Sequence, residues 1–330
     1  MQYRNLGTSD IRVSAVTLGT WAVGGFMWGG TDEQSAIEAI HTSIDLGVTS
    51  IDTAPAYGFG LSEEIVGKAI RGKRDKLQIL TKFGLSWDDP GERNYWETID
   101  PDGNKVRIFH DARKQRVLKE CDDSLRRLGV DCIDLYQQHW PDDDTPLDET
   151  MQAVESLLKA GKIRAAGVSN FSVSQMEEAR KTVRIVSNQP PYSMLKRDIE
   201  AEIVPYCMKN NIGLVVYSPL ERGLLTGKVQ SEREFPKTDH RSGLKLFNLE
   251  NRKRVNEFLE KIKPIADTHG ATLAQLVINW TIHRPGITAT LVGARNASQA
   301  EENAGAMNFT LSPDELSEID KYLNELILVR

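Results

Sequence analysis

Apolar residues come along this chain in short runs that stop on a polar side chain, and between those runs they recur at helical spacing. The runs predict strands over residues 15–18, 48–52, 77–81, 133–138, 163–168, 185–188, 213–217 and 288–292. Helix-period segments lie between them over 32–46, 62–70, 112–128, 146–160, 172–182 and 199–210. Each begins near Ser, Thr, Asp or Pro and several end at Gly or Asn, as helix caps require. A strand–helix alternation repeated in this way calls for a parallel sheet with right-handed crossovers, and eight strands are the number that closes a barrel. The expected fold is α/β, a (β/α)8 TIM barrel with a short N-terminal hairpin over 3–13. No composition break or Pro/Ser-rich linker divides the chain, so residues 1–330 are expected to form a single domain.

Two long segments, 83–111 and 220–249, carry no clear pattern and leave the C-terminal ends of their strands. Long loops at the C-terminal face shape a pocket, so substrate walls and a lid are expected there. The structural competitor is a doubly wound sheet, but no G-x-G-x-x-G follows the first strand. Gly58-Phe59-Gly60 lacks the third glycine, and the glycines between Gly24 and Gly30 are wrongly spaced. A bound dinucleotide would have to be held by something other than a Rossmann turn.

Charge and composition narrow the partners. The formal charge of −6 leaves no basic footprint for nucleic acid. The segment after Met1 has no apolar core, so it does not read as a secretory signal, and a cytoplasmic location is expected. The uncharged stretch 13–31 carries too many Gly, Ser and Thr residues for a membrane span and reads as a buried strand and loop. Cys121, Cys132 and Cys207 are odd in number and lack C-x-x-C spacing, which argues for ordinary thiols over disulfides or a thiolate metal site.

The chemistry gathers at strand ends, where barrel enzymes keep it. Asp52 closes one apolar run, and Pro55 and Gly58 force a loop that presents Tyr57; the next two runs stop at Lys82 and His139. Singly, each has an ordinary reading: a cap, a loop aromatic, a solvated lysine, a satisfied histidine. Together they suit reversible proton transfer to a carbonyl oxygen, with Lys82 expected to lower the Tyr57 pKa, Asp52 to keep Lys82 charged, and His139 to aim the carbonyl. The acidic triplet Asp142-Asp143-Asp144 reads as solvated surface rather than a metal site, and no metal is expected. His41, His110, His240, His269 and His283 receive no role.

These four residues, with Gly19-Thr20-Trp21, Gly161-Lys162-Ile163-Arg164, Gly167-Val168-Ser169-Asn170-Phe171 and Tyr217-Ser218-Pro219-Leu220, follow the order and spacing of the aldo-keto reductases, and the chain resembles that family from Asn5 to about Asn303. Within it, Trp21, the loop 54–60 and the run from Gly223 to Lys228 look most like bacterial NADPH-dependent stress and sugar-metabolism members. The resemblance implies a catalytic tetrad of Asp52, Tyr57, Lys82 and His139 and an oxidoreductase passing hydride between NADP(H) and a small carbonyl, or an alcohol in reverse. It also implies that Ser169, Asn170 and Gln189 bind the nicotinamide carboxamide and that Tyr217 stacks on the ring. Ser218, Pro219, Leu220, Arg222, Gly223 and Lys228 would follow the pyrophosphate, and Thr20 and Trp21 would flank the ribose and pocket mouth. The adenosine end would be met by Gly293, Arg295, Gln299, Glu302 and Asn303. Many relatives have Lys and Arg where this chain has Gly293 and Gln299; Arg295 remains to clamp a 2′-phosphate, so NADPH is preferred over NADH. Trp21, Trp28, Tyr57, Trp87, His139 and Trp140 are expected to line the substrate pocket.

Two other functions fit the same residues: a Schiff-base aldolase with Lys82 as nucleophile, and a non-catalytic sensor resembling the family's channel-associated subunits. No channel-binding extension precedes Asn5, which lowers the second.

Overall fold

Every strand the apolar runs predict is present, with ends shifted by two residues at most, and all eight pair in parallel around a closed barrel. The computed structural model describes residues 1–330 apart from Gly29, Asp89, Pro90, Glu92, Pro101, Asp102, residues 236–239 and Arg330, with the backbone alone for His240. The parts of the expected loops 83–111 and 220–249 at those positions lie outside the described residues, as does Gly29 in the run from Gly24 to Gly30.

In chain order the elements are β1 (Tyr3–Asn5), β2 (Arg12–Ser14), β3 (Val16–Gly19), α1 (Glu33–Asp45), β4 (Ser50–Asp52), α2 (Leu61–Ala69) and β5 (Gln78–Phe83). Next come β6 (Leu85–Ser86), β7 (Tyr95–Ile99), β8 (Lys105–His110), α3 (Lys114–Leu128), β9 (Ile133–Gln138), α4 (Leu147–Lys159), β10 (Ile163–Ser169) and α5 (Val173–Ala179). The last third holds β11 (Ile185–Gln189), α6 (Ile203–Asn210), β12 (Gly213–Tyr217), α7 (Leu249–Thr268), α8 (Leu273–Ile282), β13 (Ile287–Gly293), α9 (Ala297–Gly305) and α10 (Pro313–Glu325). Around the barrel the order is β3-β4-β5-β9-β10-β11-β12-β13, closing on itself. It is a (β/α)8 TIM barrel with an antiparallel β1–β2 hairpin at its N-terminal side.

Caps set several helix starts as their sequences require. Asp32 accepts from the Ser35 N–H at α1, and Ser172 with Gln175 forms a capping box at α5. The run 199–210, expected as one helix, is instead a 3-10 turn over Asp198–Glu200 followed by α6, with Glu202 at φ −131° between them. α8 lies outside the expected set because it is buried at Ala274 and from Leu276 through Ile282, so it lacks the polar stripe that marks a surface helix.

The segment 83–111 was expected to be irregular and is not: β6, β8 and β7 form a three-stranded antiparallel sheet on the rim. Tyr95, Trp96, Glu97 and Ile99 of β7 are all exposed. With neither face buried, the strand has no inside and outside to alternate between, and that alternation is the signal a sequence carries.

Two apolar cores hold the barrel. The larger lies between strands and helices. The smaller fills the interior with Leu80, Leu135, Val186, Val215, Ala289 and Leu291, and Leu6, Ile11 and Val13 of the hairpin region pack into it from below. Above that floor the inward side chains turn polar, at Asp52, Lys82, Gln137 and Gln189, each at most 2% exposed. A polar layer at this depth has to satisfy itself internally.

Candidate active site

The strand ends deliver the site. Asp52 and Lys82 are the last inward positions of β4 and β5, and the β4–α2 loop brings Tyr57 over them. The Tyr57 loop is tied by bonds from the Tyr57 N–H to the Ala54 carbonyl (3.1 Å), from Gly60 to Pro55 (2.7 Å) and from Ser62 to Tyr57 (3.1 Å). It also packs backbone against backbone on the β3–α1 loop. A Cβ on Gly24 would stand 2.4 Å from the Tyr57 carbonyl oxygen, and one on Gly58, whose φ is +71°, would stand 2.2 Å from that of Gly24. Only glycine allows that approach at both positions.

Lys82 Nζ donates to Asp52 Oδ1 at 2.5 Å, to the Thr53 carbonyl at 3.0 Å and to the Tyr57 hydroxyl at 3.2 Å, so all three of its donors are placed. The Lys82 ammonium also lies 4.9 Å from the centre of the Tyr57 ring. Burial works against the Lys82 charge, but Asp52 and Tyr57 outweigh it and the ammonium is held above its ordinary pKa. The phenol is a different matter. Its enclosure raises the Tyr57 pKa, Lys82 pulls it down and Asp52 pushes it up, and the net direction is upward. The expectation that Lys82 sets the balance is therefore corrected: desolvation wins, and Tyr57 is a protonated acid through neutral pH. The His139 ring stands edge-on to Tyr57, with centroids 5.7 Å apart. Burial, then Lys82, then His110 hold the His139 imidazole well below its usual pKa, so it is neutral.

Two carboxamides complete the cluster. Gln189 Nε2 donates to Asp52 Oδ2 at 2.8 Å and Gln137 Nε2 does so at 3.4 Å. Gln137 comes from β9, two strands from β4, and Gln189, expected at the nicotinamide, comes from β11 across the closed barrel, so no local sequence pattern links either amide to Asp52. Thr20, expected beside the ribose, sits under the Asp52 backbone. It is fully buried, its hydroxyl donates to the Asp52 carbonyl at 2.9 Å, and Ser62 Oγ donates to it at 2.8 Å.

Further round the mouth, Asn170 binds the His139 carbonyl (3.0 Å) and the Ser169 hydroxyl (3.1 Å), and accepts from the Tyr217 hydroxyl at 2.9 Å. Ser169, Asn170 and Tyr217 are thus brought together. Ser218 and Arg222 adopt left-handed conformations on the loop after β12, with φ +61° and +53°, and the buried Arg222 Nε has no acceptor there. Lys228 reaches across to Glu302 on α9 at 2.8 Å. At the start of α9 the Gly293 carbonyl accepts from Asn303 at 3.0 Å and Gln299 accepts from the Arg295 N–H at 2.9 Å, which leaves the exposed Arg295 guanidinium near the Trp28 carbonyl at 3.5 Å. An orphaned guanidinium nitrogen, a tyrosine face and a second arginine along one rim suit an anionic dinucleotide.

Several aromatic side chains pack edge to face. Trp21 and Trp28 meet at 5.3 Å, and Phe59 links Phe26 (5.2 Å) to Trp87 (5.3 Å). Trp140, beside His139, is 40% exposed. Of the acidic triplet, Asp143 and Asp144 are exposed, as expected, but Asp142 is buried. Asp142 accepts from Arg93 at 2.5 Å and from the Ala112 N–H at 2.8 Å, and Asp144 accepts from the Asn94 N–H at 2.9 Å, so these two carboxylates bolt the rim sheet to the loop that carries His139. Cys121 and Cys207 are buried free thiols and Cys132 is partly buried. Among the described residues no helix is long and apolar enough to cross a membrane.

A buried ion pair touching a phenol, beside a neutral imidazole at the C-terminal mouth of a parallel barrel, marks a barrel protein equipped for proton transfer. The chain belongs to the aldo/keto reductase family, whose model matches residues 15–324. It is 40% identical to the aldo-keto reductase YhdN of Bacillus subtilis, over 99% of this chain and 95% of that protein. It is 36% identical to the NADH-specific methylglyoxal reductase of Escherichia coli, over 93% and 94% respectively. Among solved structures, the glycerol dehydrogenase AKR11B4 from Gluconobacter oxydans superposes with a TM-score of 0.88 at 38% identity, covering 98% of this chain and 96% of that one. The protein is an oxidoreductase of a family that uses nicotinamide cofactors on small molecules.

Proposed function

We propose that the protein reduces short oxygenated aldehydes and ketones with NADPH, and oxidises the matching alcohols in reverse, with Tyr57 as the general acid and base. The observation that carries this reading is the chain Asp52–Lys82–Tyr57, with links of 2.5 and 3.2 Å, ending on a phenol at the mouth of the barrel. A reduced nicotinamide supplies the hydride when bound. The chain's own residues do the rest. Neutral His139 donates a hydrogen bond to the carbonyl oxygen, orients it and polarises the carbon. Tyr57 passes its hydroxyl proton to that oxygen as charge develops, and the Lys82 ammonium steadies the phenolate left behind. In oxidation the same phenolate takes the proton back.

Ser169 and Asn170 would face the carboxamide, Tyr217 the ring, Arg222 the phosphates, and Arg295 the 2′-phosphate, which a guanidinium meets with paired hydrogen bonds. The preference for NADPH rests on Arg295. The Escherichia coli relative is named NADH-specific, so family membership does not decide the cofactor. The names of two relatives, a glycerol dehydrogenase and a methylglyoxal reductase, support short, oxygen-rich substrates. An aldolase reading of Lys82 finds no support: a nucleophilic amine must lose its proton, and Asp52 and Tyr57 hold this one charged.

The test is a steady-state screen of short aldehydes, hydroxyketones and polyols with NADPH, NADH and their oxidised forms. Dinucleotide-dependent turnover, faster with the phosphorylated cofactor, is expected. Dinucleotide binding without turnover on any substrate would leave a sensor, and faster turnover with NADH would remove the role of Arg295.

A further inference from the structure

The loop after β12 makes an unusual turn. Glu221, Arg222 and Gly223 are consecutive left-handed residues, with φ +45°, +53° and +92°, and two of them carry side chains. Non-glycine residues hold that conformation only where their surroundings dictate it. Here the surroundings are specific. Ser193, fully buried on the loop after β11, donates its hydroxyl to Glu221 Oε1 at 2.6 Å. The same Ser193 oxygen accepts from the Leu195 and Lys196 N–H groups at 3.2 and 3.0 Å, so the hydroxyl proton has one direction left to point. Glu221 is itself only 6% exposed, although it is a carboxylate on a loop. The Leu220 carbonyl closes the turn by accepting from Gly223 (3.0 Å) and Leu225 (3.2 Å). The next side chain, Arg222, has its buried Nε without a partner.

A buried acid fastened to a strained turn, next to a guanidinium with an unanswered donor, is an arrangement that fixes where that guanidinium points. We infer that Glu221 is a positioning residue, caught by Ser193, that locks the left-handed turn so that Arg222 and its neighbouring backbone face the dinucleotide phosphates. The inference rests on the proposed dinucleotide site and adds a residue that does not touch the ligand. Without the catch the turn relaxes toward ordinary conformations and Arg222 swings away, so the loss falls on dinucleotide affinity.

Binding is measured without substrate, by titrating NADPH and NADP+ against tryptophan fluorescence, for wild type, E221A, S193A, the double variant, E221Q and R222A, with a melting curve for each. E221A and S193A are each expected to weaken NADPH by about tenfold, as for loss of one hydrogen bond to a charged group. The double variant should be no weaker than E221A alone, because Glu221 carries both the bond from Ser193 and a 3.9 Å contact of its Oε2 with Arg222 Nη1, and losing Ser193 adds nothing once Glu221 is gone. E221Q, whose amide oxygen accepts from Ser193, should bind within about threefold of wild type. Wild-type affinity in S193A, or losses that multiply in the double variant, would overturn the inference. Should E221A fail to fold, S193A and E221Q decide it. R222A separates the two layers: if it binds NADPH normally, the phosphate site itself is misplaced; if it weakens binding while S193A does not, the site stands and the catch falls.

Discussion

Asp52 and Lys82 lie at 1% and 0% exposure with each hydrogen bond answered inside the barrel, whereas Lys228 and Glu302 pair at the rim with side chains 65% and 20% exposed. The distances are similar, 2.5 Å against 2.8 Å, but the surroundings are not. In the interior, removing one partner strands a charge that cannot reach water. At the rim, water and salt replace whatever is removed. The chemistry of this protein should therefore be rigid and intolerant of change, and its choice of cofactor soft and adjustable.

The largest effect is expected from Tyr57→Phe. It removes one hydroxyl and should lower kcat by about 100- to 10,000-fold, the range ascribed to general acid catalysis, while NADPH titration stays near wild type. Full turnover in that variant would end the assignment. Lys82→Met comes next. It leaves Asp52 charged and buried without its cation and should cost about 3–5 kcal/mol of stability, read by chemical denaturation, as well as activity. The pH profile tests the same interior. Tyr57 is held above its ordinary value of 10.0 and His139 well below 6.5, so kcat for reduction should stay flat through neutrality and fall only in strong alkali. Stability should behave differently. Below pH 6.5 the unfolded His139 takes a proton that the folded one refuses, so its contribution lowers stability as pH falls from about 6.5. A His139→Asn variant should lose that slope.

The interior was largely legible beforehand because its chemistry sits at the ends of apolar runs, where a strand must stop. Asp52, Lys82 and His139 declare themselves that way, and Pro55 and Gly58 announce the loop of Tyr57. What escaped depends on contacts distant in sequence. Gln189 lies 137 positions from Asp52 and Gln137 lies 85, and no local pattern tells either amide which oxygen to face. Arg93 and Asp142 are 49 apart and read singly as surface charges. The net direction of the Tyr57 pKa escaped for a related reason: the pull of Lys82 follows from proximity, but desolvation depends on how completely the walls close. The rim sheet was hidden because its strand β7 is exposed on both faces.

Arg93 tests the border between the two regions. Its side chain is only 8% exposed, and from the His110 carbonyl of β8, which it binds at 2.8 Å, it reaches out of the rim sheet to Asp142 and to Thr145 at 2.7 Å. Arg93→Ala leaves a buried carboxylate short of its main donor and should cost about 1–3 kcal/mol. Amide hydrogen exchange should locate the damage, with β7 and β8 exchanging faster and β5 and β9 unchanged. Faster exchange in β5 would mean that the rim sheet supports the barrel instead of resting on it.

The rim should yield the smallest effects. Arg295→Ala is expected to narrow the NADPH-over-NADH ratio of kcat/KM by about tenfold, corresponding to about 1.4 kcal/mol, with little change for NADH. The final case is the Lys228–Glu302 pair, which joins the loop after β12 to α9. A double-mutant cycle with Lys228→Met and Glu302→Gln, read by melting temperature, should give a coupling below about 1 kcal/mol that shrinks further in high salt, because the lysine side chain is mostly in water. A larger, salt-insensitive coupling would make this pair resemble Asp52–Lys82. Exposure would then no longer separate the two regions, and the cofactor rim would have to be counted among the rigid parts of the molecule.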